Sequence, residues 1–141
     1  MRTPISKAPV RGALLATAMF VMGAAWAKDV SVTLSGAEET PPVQTSASGS
    51  GTISIGDDKS VSGSVKSMGM DGTAAHIHLG AKGKAGPPII TLTKGADGMW
   101  SVPAGSKLDD AQFASFKAGD LYVNVHSAAH KDGEIRGQLK P

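Results

Sequence analysis

The sequence predicts an all-β domain, an antiparallel β-sandwich or flattened barrel of about eight short strands with one short helix. Short segments alternate apolar and polar residues, as Val30 to Leu34 do, and this period is typical of a strand with one buried face. Turn residues separate these segments at close spacing. Only residues 108–117 carry the pattern of a helix. These features indicate a sandwich or barrel and leave the order of the strands open.

The predicted strands follow one another along the chain after residue 29. A hairpin is expected between the second and third strands, because Gly56 to Lys59 suits a tight turn. The fifth and sixth strands are expected to pair across Gly95 to Gly98, and the last two around Lys131 to Gly133. The eight predicted strands are 30–34, 51–56, 60–66, 74–79, 89–93, 98–102, 121–126 and 134–139.

The predicted helix begins at Leu108 and ends at Lys117, before Gly119. Asp109 and Asp110 favour its N-terminal end, where negative side chains interact well with the helix dipole. The aromatic residues of this half of the chain are expected in the core, and the last of them is also a candidate for lining a site. They are Trp100, Phe113, Phe116 and Tyr122.

Residues 1–27 predict a secretory signal peptide. Three basic residues precede an apolar run from Gly12 to Ala25, and the small residues of Ala25-Trp26-Ala27 suit cleavage after Ala27. A membrane anchor is the alternative, but the run is shorter than the roughly 20 residues that a span needs. We therefore expect a periplasmic or secreted domain of residues 28–141, with no membrane segment after cleavage.

Removal of this segment changes the charge balance. The whole chain has 14 Lys and Arg against 12 Asp and Glu, a net charge of +2. Three of the basic residues and none of the acids lie in the first 27, so the remaining 11 and 12 give −1. This balance gives no reason to expect nucleic acid or an anionic membrane as a partner.

The chain has no cysteine, so its stability must come from core packing, alone or with a bound metal.

Two of the four histidines, His76 and His78, lie two residues apart in the fourth strand. Successive side chains of a strand point to opposite faces, so these two share one face and Ile77 points to the other. Two imidazoles on one face can bind one metal ion.

The other two histidines, His126 and His130, lie near the C-terminus. His126 shares a strand face with Asn124. If strands 74–79 and 121–126 are neighbours, three imidazoles form one site, and His130 in the following loop is a candidate fourth ligand. Neutral imidazole suits copper, zinc, nickel or iron; we expect copper first, with zinc or iron as alternatives.

The structural alternative is that these histidines bind loop backbone at one end of a barrel.

Met68 and Met70, just upstream of the fourth strand, are thioethers that suit copper(I), although methionine more often fills gaps in a core. Other chemistries lack their motifs: the sequence has no cysteine nucleophile, no phosphate loop that opens a helix, and no evident Ser/His/Asp arrangement.

Four charged residues are further candidates. Arg136 is a candidate guide for a small anion approaching the metal, and Glu134 for orienting a ligand histidine. We favour a structural role, an ion pair between them or attachment of the loop 38–42, because the arginine fork matches carboxylates. Glu38 and Glu39 are adjacent, but no second catalytic element lies near them, so we expect a loop anchor and a solvent-facing charge.

Four segments carry a family resemblance: 34–43 (LSGAEETPPV), 75–78 (AHIH), 119–126 (GDLYVNVH) and 133–139 (GEIRGQL). In this order they resemble the CHRD domain, a module named after its copies in chordin and found in single-domain bacterial exported proteins. The resemblance covers essentially the whole chain after residue 27. It implies an immunoglobulin-like antiparallel β-sandwich or Greek-key barrel. In chordin-type proteins the module belongs to antagonists of secreted growth factors, a role with no obvious counterpart here.

A His-x-His strand with a later histidine is also similar, in geometry alone, to the copper/zinc superoxide dismutases, which are β-barrels. Two functions therefore stay open. One is an exported domain that binds a transition metal through His76, His78, His126 and His130, with superoxide dismutase-like redox activity and a small anion as partner. The other is a non-catalytic extracytoplasmic binding module that recognises a protein or polymer and whose histidines are structural. The sequence does not fix the oligomeric state.

Overall fold

The computed structural model describes residues 26–141; the predicted signal peptide, apart from its last two residues, lies outside them. In this part of the chain no helix is long and apolar enough to cross a membrane. Within residues 26–141 the one α-helix is α1 (Asp110–Lys117). The strands are β1 (Ala27–Ser35), β2 (Ser48–Gly56), β3 (Val61–Met68), β4 (Gly72–Leu79), β5 (Pro88–Thr91), β6 (Thr93–Lys94), β7 (Met99–Ser101), β8 (Leu121–Ser127) and β9 (Ile135–Leu139).

All nine strands belong to one antiparallel sheet with the order β5-β4-β8-β9-β1-β2-β3-β7-β6. The two outermost strands, β5 and β6, are consecutive in the chain and are separated only by Leu92. The backbone N–H of Leu92 donates to the carbonyl oxygen of Ala75 at 2.9 Å. The sheet therefore returns on itself through residues 88–94 and has nearly the form of a barrel.

The predicted fold class is confirmed, and most of the predicted pairings are present. β2 and β3 form the expected hairpin, β6 pairs with β7, and β8 pairs with β9. The predicted strand 89–93 is divided in two, because Leu92 turns into the core and is only 4% exposed. This division gives nine strands instead of eight.

Alternation along the strands builds the core, since every second side chain of a strand faces inward. Leu34, Ile53, Val123 and Ile135 are among the side chains with no exposed surface, and Trp100 is buried with them. Burial of such apolar surface supplies most of the stabilisation in a domain of this size.

The helix lies against one end of this core, through the buried ring of Phe116. It begins two residues later than predicted, because Asp109 is the N-cap. The Asp109 carboxylate accepts a hydrogen bond from the Gln112 backbone N–H at 2.7 Å, and the Gln112 side chain accepts from the Asp109 N–H at 3.0 Å. This reciprocal pair satisfies two N–H groups that a helix end leaves unpaired. Leu108 still packs in the core, just outside the helix.

Candidate metal site

Strand β4 divides its side chains between the core and a polar outer face. Ala75 and Ile77 are buried in the core. His76 and His78 point the other way, as the two-residue period requires. The polar outer face of β4 is the surface on which the candidate site is built.

Strand β8 lies directly beside β4 and presents a polar face of its own. In the antiparallel register His76 is opposite Asn124, His78 is opposite Tyr122, and Ala74 is opposite His126. The proximity that a three-histidine site requires is therefore present. We refer to His76, His78 and His126 together as the histidine cluster.

The ring nitrogens of the histidine cluster converge. His76 Nδ1 lies 3.1 Å from His126 Nε2. With one ligand nitrogen taken from each ring, the three atoms all lie within 4.8 Å of one another. Bonds of about 2.0–2.1 Å to one ion place two nitrogens about 3.3 Å apart in a tetrahedral site. The three nitrogens therefore lie near the spacing that one metal ion requires.

Backbone carbonyl groups orient two of the three rings. His78 Nδ1 lies 2.8 Å from Gly86 O, and His126 Nδ1 lies 2.7 Å from Lys131 O. A carbonyl oxygen only accepts hydrogen bonds, so each Nδ1 carries the proton and each Nε2 is unprotonated and carries a lone pair. Histidines that bind metals in proteins are commonly oriented in this way.

The surroundings keep two of the rings neutral. Desolvation lowers the pKa of His76, and the neighbouring His126 and His78 lower it further. Desolvation also lowers the pKa of His78, with its bond to Gly86 acting in the opposite sense. Neutral imidazole is the form that binds a metal ion.

Tyr122 supports the cluster from the adjacent strand. Its ring is parallel to that of His78, with the centroids 4.7 Å apart. Its hydroxyl oxygen accepts a hydrogen bond from the Gly86 N–H at 3.0 Å, so it also holds the loop that orients His78. The expectation that Tyr122 lines the site is therefore in agreement with its position.

Arg136 fastens two loops over the polar face. It is 2% exposed, and its guanidinium carbon lies 3.5 Å from the centroid of the Tyr122 ring. Its Nη1 donates to Lys84 O at 2.8 Å and its Nη2 to Ala81 O at 2.9 Å. A weaker bond of 3.4 Å reaches Thr40 Oγ1, so Arg136 contacts the loop 38–42 as the structural interpretation predicted.

The fold and the site can now be compared with known protein families. A family model described as CHRD domain matches residues 30–139. The chain belongs to the CHRD domain family. The match spans all four of the segments that carried the resemblance. Searches of curated proteins and of solved structures found no match to this chain.

In this CHRD domain Glu134 does not pair with Arg136. Its carboxylate accepts hydrogen bonds from Thr45 Oγ1 at 2.8 Å and from Ser127 Oγ at 2.7 Å. The predicted ion pair between the two residues is therefore wrong, because two hydroxyl groups already occupy the carboxylate. No hydrogen bond joins Glu134 to a histidine ring among the described residues.

His130 is the one histidine that the CHRD fold leaves outside the histidine cluster. Its backbone N–H donates to Ser127 Oγ at 3.2 Å in the turn after β8. It lines a neighbouring cleft of about 430 Å³ with the prolines of the 41–42 segment. Of the two methionines, Met68 is exposed and Met70 packs against the core, the gap-filling role expected of it.

Glu39 is a buried acid that the sequence analysis did not single out for the site. It is 6% exposed, whereas its neighbour Glu38 contacts Lys82 near the surface. Glu39 is therefore the loop anchor that the sequence predicted, and Glu38 is the solvent-facing charge. Desolvation raises the pKa of Glu39 to about 7, and Arg136 is the main influence in the opposite direction. Glu39, His78, His126 and Arg136 line one cleft of about 330 Å³.

Asn124 is the other residue of the polar face whose part in the site the sequence analysis missed. It is 2% exposed, and its side-chain Nδ2 donates weakly to Asp132 O at 3.5 Å. The available signal was its place on the same strand face as His126. Asn124 lies opposite His76 and two residues before His126. Its burial there is unusual, because amides are seldom buried without a full set of hydrogen-bond partners.

Proposed function

We propose that this CHRD domain is an exported protein that binds a transition metal through His76, His78 and His126. The observation that carries the proposal is the convergence of their three ring nitrogens within 4.8 Å. The bonds from His78 and His126 to backbone carbonyls support it, because they leave each Nε2 unprotonated, with a lone pair that can bind a metal ion. The basic and apolar N-terminal segment supports export.

Copper is the metal that we place first. The donor set is three neutral imidazoles, which suits copper and zinc better than magnesium or calcium. Among divalent ions of the first transition row, copper binds such a set most tightly. Zinc and iron are the alternatives, and a competition experiment separates them.

The finer part of the proposal is a superoxide dismutase-like reaction of the copper form. Such a reaction needs a redox metal, an open coordination position and a route for the anion. Three protein ligands leave a position open, and the cleft lined by Lys131 and Arg136 is the proposed route. The expected result is superoxide consumption by the copper-loaded protein that is lost with the histidine cluster.

The experiment is a metal titration of the purified wild type, of the double variant His76→Ala/His78→Ala, and of His130→Ala as the matched control. Isothermal titration with Cu²⁺ and Zn²⁺ should give one site per chain in the wild type and the control, and none in the double variant. Copper at 100 times its Kd should stabilise the native state by about 2.7 kcal/mol, seen as a higher Tm. Loss of binding in His130→Ala would instead make His130 the fourth ligand of the sequence prediction.

A different outcome would favour the second function. If no metal binds the wild type and its melting curve is unchanged by copper, zinc, nickel or iron, the histidines are structural. The domain would then be a non-catalytic module that recognises a protein or polymer.

A further inference from the structure

Three buried side-chain atoms in the described residues have no hydrogen-bond partner, and all three lie at the candidate site. They are His78 Nε2, Glu39 Oε1 and Asn124 Oδ1. Each belongs to a side chain that is more than nine-tenths buried. A buried polar atom without a partner costs about 1–3 kcal/mol, so most such atoms in proteins are paired. Three of them at one place indicate a common ligand.

Asn124 connects the other two residues. Its amide lies close enough to the Glu39 carboxyl and to the His78 ring to lower the pKa of the first and raise the pKa of the second. Asn124 and Glu39 also meet at Gly133, where an added methyl group would overlap both the Asn124 Nδ2 atom and the Glu39 Oε1 atom. The three side chains therefore form one contiguous polar group beside the cleft.

The chemistry of the three atoms is complementary to a water molecule on a metal ion. His78 Nε2 carries a lone pair, because the ring proton is on Nδ1 and is donated to Gly86 O. This lone pair is the one that binds the metal. The carboxylate oxygen of Glu39 and the amide oxygen of Asn124 are both acceptors. They need a partner with two donors, and a bound water uses its own lone pair for the metal and has two O–H groups to give.

We infer that Glu39 and Asn124 are positioning residues that hold a water molecule at the open coordination position of the metal. The inference rests on the proposed metal site. It adds a water molecule as the fourth ligand of the metal, and it names Glu39 and Asn124 as the residues that hold this water. A divalent cation nearby favours the ionised form of Glu39 and makes the bound water a stronger donor.

The water is exchangeable, because the cleft is much larger than one water molecule. Its volume is about 330 Å³, against about 30 Å³ for a water in the liquid. Lys131 and Arg136 line the same cleft and attract a small anion, whereas Glu39 and Asp132 line it with negative charge. An anion such as azide should therefore displace the water, and the negative charge of Glu39 should oppose it.

The test uses the full domain loaded with Cu²⁺. Proton electron-nuclear double resonance in H₂O and in D₂O detects exchangeable protons on a copper-bound water. Azide is then titrated and its charge-transfer absorption gives a Kd. The variants are Glu39→Gln and, as the control, Glu38→Gln, which removes the same charge one residue away at a position that does not line this cleft.

The wild type should show strongly coupled exchangeable protons that azide removes. Azide should bind about tenfold more tightly to Glu39→Gln than to the wild type. The azide Kd of Glu38→Gln should lie within about twofold of the wild-type Kd. Copper bound by three histidine nitrogens without strongly coupled exchangeable protons would overturn the inference and leave the metal site intact, because the ring N–H protons of the histidines exchange but couple only weakly. Equal azide affinities in the two variants would also overturn it. Absence of copper binding in the wild type would overturn the metal site and, with it, this inference.

Discussion

The ring of His78 is stacked on the ring of Tyr122, with an angle of 5° between the planes. The two residues face each other across β4 and β8, and both reach Gly86 in the loop that precedes β5. Gly86 thus accepts a hydrogen bond from the His78 ring through its carbonyl oxygen and donates one to the Tyr122 hydroxyl through its N–H. The orientation of a candidate metal ligand depends on this loop.

Tyr122→Phe should therefore weaken both the loop and the metal site. It keeps the stacked ring and removes the hydroxyl that accepts from the Gly86 N–H and donates to the Gly86 carbonyl oxygen. We expect a loss of about 1–2 kcal/mol in the free energy of unfolding, the usual contribution of one or two hydrogen bonds, and weaker copper binding. Urea unfolding and isothermal titration measure the two effects. Copper affinity equal to that of the wild type would show that the hydroxyl does not help to orient His78.

Arg136→Lys should be strongly destabilising, although the charge is kept. Lysine lacks the planar fork with which Arg136 bonds the carbonyls of Ala81 and Lys84 and the side chain of Gln138. Buried carbonyl groups that lose a charged donor cost about 1–3 kcal/mol each, so we expect a loss of about 2–4 kcal/mol in urea unfolding.

The matched control for Arg136→Lys is Lys84→Ala. Arg136 bonds the backbone oxygen of Lys84, and the Lys84 side chain is exposed. The alanine variant should unfold within about 0.5 kcal/mol of the wild type, as is usual for surface substitutions. Similar losses in both variants would mean that the loop is held by something other than the arginine fork.

The sequence was enough to predict the parts of this fold and site that depend on local pattern. Alternation along β4 placed His76 and His78 on one face, and alternation along β8 placed His126 on the polar face of its own strand. The hairpin of β2 and β3 followed from the glycine and aspartates of its turn. Each of these inferences needs only residues that are near one another in the chain.

The parts that the sequence could not predict depend on contacts between distant residues. The pairing of β4 with β8 brings together positions about 50 residues apart, and no local pattern specifies it. The burial of Glu39 results from a loop that lies against the turn at Gly133. Leu92 divides a strand because it must face a core whose shape is set by the rest of the sheet.

Gly133→Ala should disturb the polar group beside the metal site. Gly133 has a φ of +122°, and a methyl group there would overlap the Glu39 carboxylate and the Asn124 amide. Gly105→Ala is the control, because Gly105 also has a positive φ but has nothing near the position of an added Cβ. We expect Gly133→Ala to lose about 1–3 kcal/mol more than Gly105→Ala in urea unfolding. Equal losses would show that only the backbone conformation matters at both positions.

The stability of the metal-free domain should depend on pH through Glu39. Its pKa is raised from the ordinary 4.5 to about 7 by desolvation, with Arg136 opposing, and Asp132 adding to the increase. Between these two pH values the folded state binds more protons than the unfolded state, so the free energy of unfolding falls as pH rises. The fall is at most about 3 kcal/mol and levels off above pH 7.

Glu39→Gln keeps the neutral form at every pH and should remove this part of the pH dependence. The measurement is urea unfolding of the wild type, Glu39→Gln and Glu38→Gln from pH 4.5 to 8. The difference between the wild type and Glu39→Gln cancels the other titrating groups, including His76 and His78, whose pKa values are also shifted. That difference should grow in favour of Glu39→Gln as pH rises, while Glu38→Gln follows the wild type. A constant difference across the range would mean that Glu39 titrates alike in the folded and unfolded chains, in which case its burial does not raise its pKa.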